Sequence, residues 1–321
     1  MNLFQKFLQK LNGLHYSQEY LCLSYEFFEH PVYAWLIRNG RVIQDITTLH
    51  SFVGYHPLIF AIASAIETAE TTDIIFSSHT FQSNDLFSKK DAIATLSLRK
   101  INEQPFLADK IILYEGYWGE HRFVSSFHQA VIGLHNRLYQ KKPGNVFLPG
   151  NLYKQVQIAY SLPRNISLIT VGLDNRYNLF PTDLHGPVDE EHYIISLRWQ
   201  GKACRQVEQT RKILVTQIHS DFYRAVYKLG KNHMQELKGK EHFPFSEAVS
   251  TNYQLPIPLS ALEYRELELQ DSFIYGIHQL MLFKIVSRQV IHDQPSTLSH
   301  IHNVYATWRH NNKLPGNYLL R

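Results

Sequence analysis

Cysteine is scarce in this chain of 321 residues: there are two, Cys22 and Cys204, far apart and outside any CxxC pair. That excludes a disulfide scaffold and a cysteine zinc site, and it fits a reduced, cytoplasmic setting. Charge of one sign is also lacking. Lys and Arg number 32 against 28 Asp and Glu, a surplus of +4, too small to build the positive field of a nucleic-acid binder. No nucleic-acid partner is therefore expected. Long apolar runs are missing too, since the most apolar stretch, Pro57 to Ile66, is broken at Glu67, well short of the roughly 20 residues that a membrane helix needs. The opening MNLFQKFLQKLNGL has no uninterrupted apolar core of the signal-peptide kind. Its Leu3, Phe4, Phe7, Leu8 and Leu11 instead predict a short amphipathic helix, packed on the protein's own body rather than on a membrane. GxSxG, HExxH, Walker and GxGxxG patterns are absent, which leaves hydrolase, nucleotidase and Rossmann readings without support.

Histidine, by contrast, is abundant at 18 residues. Short runs rich in Val, Ile, Leu, Tyr and Phe alternate with turn signals at RNGR (38–41), LDNRYN (173–178) and QKKPGN (140–145). This is strand-and-turn patterning. Helical spacing is seen at Ala203 to Lys212 and Phe222 to Lys228, so the expected fold class is α+β, mainly β. The polar, aperiodic joint Gln140 to Gly150 places a boundary between a β-rich domain 1–145 and a second domain 151–321.

A weak internal repeat runs through both parts. Residues 38–50 align without a gap on 173–185, sharing an Arg, a Thr, a Leu and a His; HPLIFAIAS (56–64) then meets HYIISLR (192–198), and Phe127-His128-Gln129 meets Ile277-His278-Gln279. Three blocks in one order point to a duplicated β domain, with chance similarity between β-rich segments as the alternative.

The second copy holds the chemistry. Pro181 removes a backbone donor, so the ribbon Asn178-Leu179-Phe180-Pro181-Thr182-Asp183 is expected to leave its ladder with amides free for a flat, acceptor-rich ligand. In HYIISLR, Ser196 and Arg198 fall on one strand face, and Lys202 lies beside a helix N-terminus. A hydroxyl, a guanidinium, an ammonium and first-turn amides converging there would hold a phosphate. The competing reading is that Arg198 and Lys202 are solvated charges paired with Glu190, Glu191 or Glu208.

These residues resemble the flavin reductase-like FMN-binding split-barrel family: Thr170-Val171-Gly172 ending a strand, Asn178, Pro181-Thr182, the strand to Ser196-Leu197-Arg198, then Gly201-Lys202 before a helix through Val207 and Thr210. Two positions depart from the family pattern. Ile277 stands where an acid is usual before His278, and Ala203 stands where a Thr often opens the helix. The resemblance covers about 155 to 290. It implies an FMN-binding split barrel, here as two tandem barrel-like halves. By that resemblance Asn178, Phe180, Pro181, Thr182 and Asp183 meet the flavin ring, while Ser196, Arg198, Lys202 and the Ala203 position meet the phosphate. His278 and His185 are the candidate catalytic residues beside the ring. The implied activity is NAD(P)H-dependent flavin reduction with hydride passing to flavin N5 and electrons onward to free flavin or another small acceptor; the alternative is a flavin- or ligand-binding module without turnover. Haem on the same barrel class is a third reading that no spacing favours. Members of the family are usually homodimers with flavin at the interface, so the resemblance implies either a homodimer of this chain or a pseudo-dimer formed by its two halves. The first copy has Thr47-Thr48 in place of Thr182-Asp183, lacks the proline and carries acidic Glu67 and Glu70; it is expected to hold no flavin and to wall the second half's cleft. His300-Ile301-His302 and LGKNH (229–233) are read as structural or lid residues and as a lysine-bearing loop.

Overall fold

The computed structural model describes residues 7, 9–24, 31–63, 69–101, 111–139, 146–293, 296–314 and 316–319. Most of the expected N-terminal helix, the 140–145 turn and Glu67 lie outside them. Two turns explain how each half begins. Asn39 and Gly40, and likewise Asp174 and Asn175, all have positive φ, the conformation that a two-residue hairpin turn demands and that Asn, Asp and Gly supply most readily. The first turn joins β2 (Tyr33–Arg38) to β3 (Arg41–Asp45), and the second joins β10 (Ser167–Leu173) to β11 (Arg176–Thr182).

From those hairpins the chain builds two seven-stranded antiparallel sheets. The first continues through β4 (His50–Tyr55), β5 (Leu58–Ala63), β6 (Thr71–Ser77), β7 (Ala94–Lys100) and β8 (Ile111–His121). The second continues through β12 (His185–Pro187), β13 (His192–Arg198), β14 (Lys212–Ile218), β17 (Ala261–Tyr275) and β18 (His278–Val290), with a small β15 (Phe245–Val249) and β16 (Pro256–Pro258) pair inserted before β17. The orders are β3-β2-β6-β7-β8-β5-β4 and β11-β10-β14-β17-β18-β13-β12. Counting strands within each half, both read 2-1-5-6-7-4-3. Bulges between Leu36 and Ile37, Phe52 and Gly54, Ser97 and Leu98, Glu266 and Leu267, and Leu269 and Asp271 bend the strands, and each sheet curls into a half-barrel. The fold is mainly β, a split barrel in two barrel-like halves.

The halves share a core. Val53, Ile59, Ala61 and Leu113 of the first pack with Ile194, Leu280 and Leu282 of the second. Tyr275 donates from its hydroxyl to the Glu115 carboxylate, and the Ile277 amide donates to the His56 carbonyl. Gly276 makes this approach possible, because at φ +61° a Cβ would lie 2.3 Å from the His56 carbonyl oxygen. Helix α1 (Ser126–Tyr139) follows the first sheet, and α2 (Leu152–Ala159) packs on it, where the Asn151 side-chain oxygen accepts from the Gly119 amide at 2.6 Å. A third sheet, β20-β1-β19-β9, ties β1 (Tyr20–Ser24) to β19 (Leu298–His302), β20 (Asn317–Leu319) and β9 (Arg164–Asn165).

Two of the three repeat blocks are out of register. His50 pairs with Ile62 and His185 with Ile195, so Ile59, not His56, occupies the position of His192. Residues 127–129 lie in helix α1, whereas Ile277 ends a turn and 278–279 open β18; the first-half strand equivalent to β18 is β8. An apolar run after His-Gln has no intrinsic strand or helix identity, and here local helix-forming context decided it.

Candidate functional site

Strand β13 ends at Arg198, and a turn leads to α3 (Lys202–Thr210), whose buried face carries Ala203, Cys204 and Val207. Gly201 is the N-cap and makes no side-chain cap bond, so the first-turn amides have no side-chain acceptor from their own cap. Beside this turn lies a cavity of about 480 Å³, within the range of small-molecule sites. Its lining joins Pro181, Thr182 and Asp183 of the ribbon, Ser196 and Arg198 of β13, Ala203 of α3 and His278 of β18. Seven of the eleven candidate residues are thus gathered in one place.

The other four are not among its lining residues. Asn178 is fully buried, donating from Nδ2 to the Gln206 Oε1 at 2.7 Å and the Asn232 carbonyl at 3.0 Å while its Oδ1 accepts from the Leu179 amide. It fastens β11 to α3 and to the 3-10 turn at 230–234. Phe180 is a core side chain of the second half, its ring 4.9 Å from that of His233. Lys202 turns to Glu236, with Nζ 2.7 Å from Oε1 on a half-exposed surface. His185 donates from Nε2 to the Asn165 carbonyl at 3.0 Å and receives the Tyr193 hydroxyl at Nδ1 at 2.6 Å; burial pushes its pKa down to about 4. The expected departure of the ribbon at Pro181 also fails: β11 keeps its pairing to Thr182, opposite Ser167. β11 is an edge strand, where a missing N–H interrupts no ladder.

His278 is buried and works across the seam. The Tyr55 amide donates to its Nε2 at 3.1 Å, so Nδ1 carries the proton and donates to Ser196 Oγ at 3.1 Å. Burial first, then the neighbouring Arg198 charge, lowers its pKa to about 3. With Oγ accepting from His278, the Ser196 hydroxyl keeps its own proton to donate, and Ser196 lines the cavity. Arg198, exposed at the rim, donates from Nε and Nη2 to the Tyr55 hydroxyl at 2.8 and 2.6 Å. No carboxylate pairs with it among the described residues. A guanidinium without an acid partner, a free hydroxyl proton and an uncapped helix start form a donor set suited to an anionic group such as a phosphate.

Among the lining residues outside the candidate set are Tyr55, His233 and Met234. Tyr55 comes from the first half. His233 donates from Nε2 to the Pro181 carbonyl at 2.7 Å, and Met234 follows it. His233 ends the segment 229–233 read as a lysine-bearing loop, and the structure folds 230–234 into a 3-10 turn. No local pattern marks Tyr55, whose place is set by the packing of one half against the other. The histidine in LGKNH was visible, but its contact with Pro181 is tertiary.

The geometry defines a split-barrel protein with an anion-suited cavity at the seam of its halves. No protein-family model matches the sequence, and no curated protein matches it. Solved structures to which it is similar include an FMN-binding protein from Thermus thermophilus with bound p-hydroxybenzaldehyde, at 19% identity over 40% of this chain and 73% of that one, TM-score 0.36. Another is the Streptomyces globisporus C-1027 NADH:FAD oxidoreductase, at 10% identity over 51% and 96%, TM-score 0.41. A third is the styrene monooxygenase flavin reductase from Pseudomonas putida S12, at 12% identity over 43% and 87%, TM-score 0.35. The fold assignment rests on strand order and curl.

Proposed function

We infer that the seam cavity binds FMN and that the protein is a flavin reductase-like oxidoreductase with NAD(P)H as electron donor. The observation that carries this reading is the convergence, in one cavity of about 480 Å³, of the Pro181-Thr182-Asp183 ribbon with Ser196, Arg198 and the start of α3. A phosphate is held by the Arg198 guanidinium, the Ser196 hydroxyl and the first-turn amides, and a planar ring lies along the ribbon. Bound flavin supplies hydride and single-electron chemistry, so no nucleophilic triad is required of the protein. The chain's own residues position and shield: His278 orients Ser196, Tyr55 holds Arg198, and His233 braces the Pro181 carbonyl. Ala203 offers no hydroxyl there, and Lys202 contributes no charge to the cavity wall.

The chain is further read as an N-terminal half, 1–145, that lends Tyr55 to the site of the C-terminal half, 151–321, as one subunit of a dimer lends a wall to the other. A visible spectrum tests the main claim: protein mixed with FMN should quench its fluorescence with saturation, and NADH should bleach the flavin band. Colourless protein that leaves FMN fluorescence unchanged defeats the reading. A binding module without turnover is favoured by one observation, the commitment of both His278 nitrogens to the protein; saturable FMN uptake without NAD(P)H-dependent bleaching selects it.

A further inference from the structure

A second cavity, of about 460 Å³, opens between α1 and α2 and shares no lining residue with the seam cavity. We propose that it binds an amphipathic carboxylate, an acyl anion of medium length, with the carboxylate held by Arg137 and Lys154 and the chain laid along Ala130, Gly133, Leu134 and Phe147.

The charge in this cleft has one sign. Arg137 and Lys154 both line it, and no Asp or Glu does. Neither α1 (SFHQAVIGLHNRLY) nor α2 (LYKQVQIA) contains an acid, and neither cation makes an ion pair among the described residues. Arg137 is exposed and Lys154 partly so, which leaves both open to a ligand. Lys154 lies in the first turn of its own helix, where the macrodipole disfavours a cation; its place does nothing for the stability of α2. The residue before that turn, Asn151, directs its side chain to Gly119 and Gln155 and makes no cap bond. The start of α2 therefore presents uncapped amides on the same side as the two cations, a setting suited to a carboxylate.

The apolar part of the cleft is opened by a glycine. Gly133 stands inside α1, where glycine weakens a helix. Its φ is not positive, and a Cβ there would meet nothing within 4 Å, so neither backbone geometry nor crowding requires it. The missing side chain instead leaves the floor of the cavity clear. Beside it Leu134 and Phe147 are 58% and 47% exposed, apolar surface that a bound chain would cover. From Ala130 to Arg137 the helix rises about 10 Å, which suits a chain of medium length.

The inference goes beyond the flavin reading and does not rest on it. Its test is isothermal titration of the full chain at neutral pH and low salt, with octanoate and octanol as probes that share a chain and differ in charge. Octanoate should bind saturably and about tenfold more tightly than octanol, the worth of a charge-assisted contact. Added salt should narrow that ratio. In the double variant Arg137→Gln, Lys154→Gln the ratio should fall to within about twofold. Gly133→Leu places a side chain over the open floor and should weaken both probes about tenfold; as a better helix residue it keeps the fold, and its effect separates this cleft from the seam cavity. Equal affinity for the two probes marks a merely apolar groove and overturns the proposal. So does octanoate binding that is unchanged in Gly133→Leu, a preference that survives the loss of both cations, or an absence of saturable octanoate binding. Sedimentation with phosphatidylglycerol vesicles in place of octanoate binding would assign this face to a membrane surface and overturn it as well.

Discussion

The two sheets run through the same strand order, while few of their side chains are the same. The register makes the match residue by residue: the Ala63 amide donates to the Leu49 carbonyl at 2.9 Å, as the Ser196 amide does to Leu184. Ala63 therefore stands where Ser196 stands, and lacks its hydroxyl. Thr48 replaces Asp183 on sequence offset. Thr47 turns its hydroxyl inward, accepting from the Ala34 amide, while its own amide donates to Asp45; the first-half ribbon is closed by its own turn. Topology is thus common property, and the cavity's chemistry resides in side chains the first half does not have. Seen from the second half, the first is a wall bearing Tyr55.

The comparison can be broken most forcefully through stability. Because Val53, Ala61, Ile194 and Leu280 share one core, both halves should unfold in a single calorimetric transition, and Phe180→Ala, a core truncation, should cost about 3–5 kcal/mol across it. Loss of only one of two separate transitions would show that the halves are independent.

Acid supplies a second test through four histidines, two from each half. Burial pushes His50 and His278 down to about 3, and His121 and His185 to about 4. Below about 6.5 the unfolded chain binds these protons while the native state does not, so stability is full above that pH and declines as pH falls toward 4. Each such histidine contributes a slope of about 1.4 kcal/mol per pH unit in that window. His278→Gln should remove one proton's worth of slope in urea titrations between pH 6 and 4; an unchanged slope would mean that His278 is not held neutral.

Ligand affinity gives the smaller effects. Arg198→Ala should weaken FMN about 10- to 100-fold in a fluorescence titration, as loss of a charge-assisted contact does. Lys202→Ala should change it by less than about threefold, since its exposed ion pair with Glu236 is worth little. Reversal of that ranking would move the anion from the β13 rim to the helix surface.

What could be read from sequence follows the range of the interactions. Both hairpin turns were legible because Asn-Gly and Asp-Asn encode positive φ locally. Ser196 and Arg198 were legible because a two-residue period fixes a shared face. Asn178 and Phe180 were placed in the site by motif alone, and the structure turns them to the core: alternation along an edge strand says which residues share a face, not which face meets the ligand. Lys202 was misjudged for another reason, because Glu236 lies over thirty residues away and no local pattern announces it. Tyr55, His233 and His300 meet the Pro181-Thr182-Asp183 ribbon or its cavity through tertiary packing, which a one-dimensional pattern does not contain.

The pairing of β1 with β19 and β20 sets a schedule for biosynthesis. Residues 20–24 find their hydrogen-bonding neighbours only after residues 298–302 and 317–319 have been made, so this apolar segment must wait until both halves between them have been synthesised. During that interval its unpaired edge is open to other chains. Closure of this small sheet therefore cannot precede the synthesis of both halves, and until then β1 is a segment that a holding chaperone would have reason to protect.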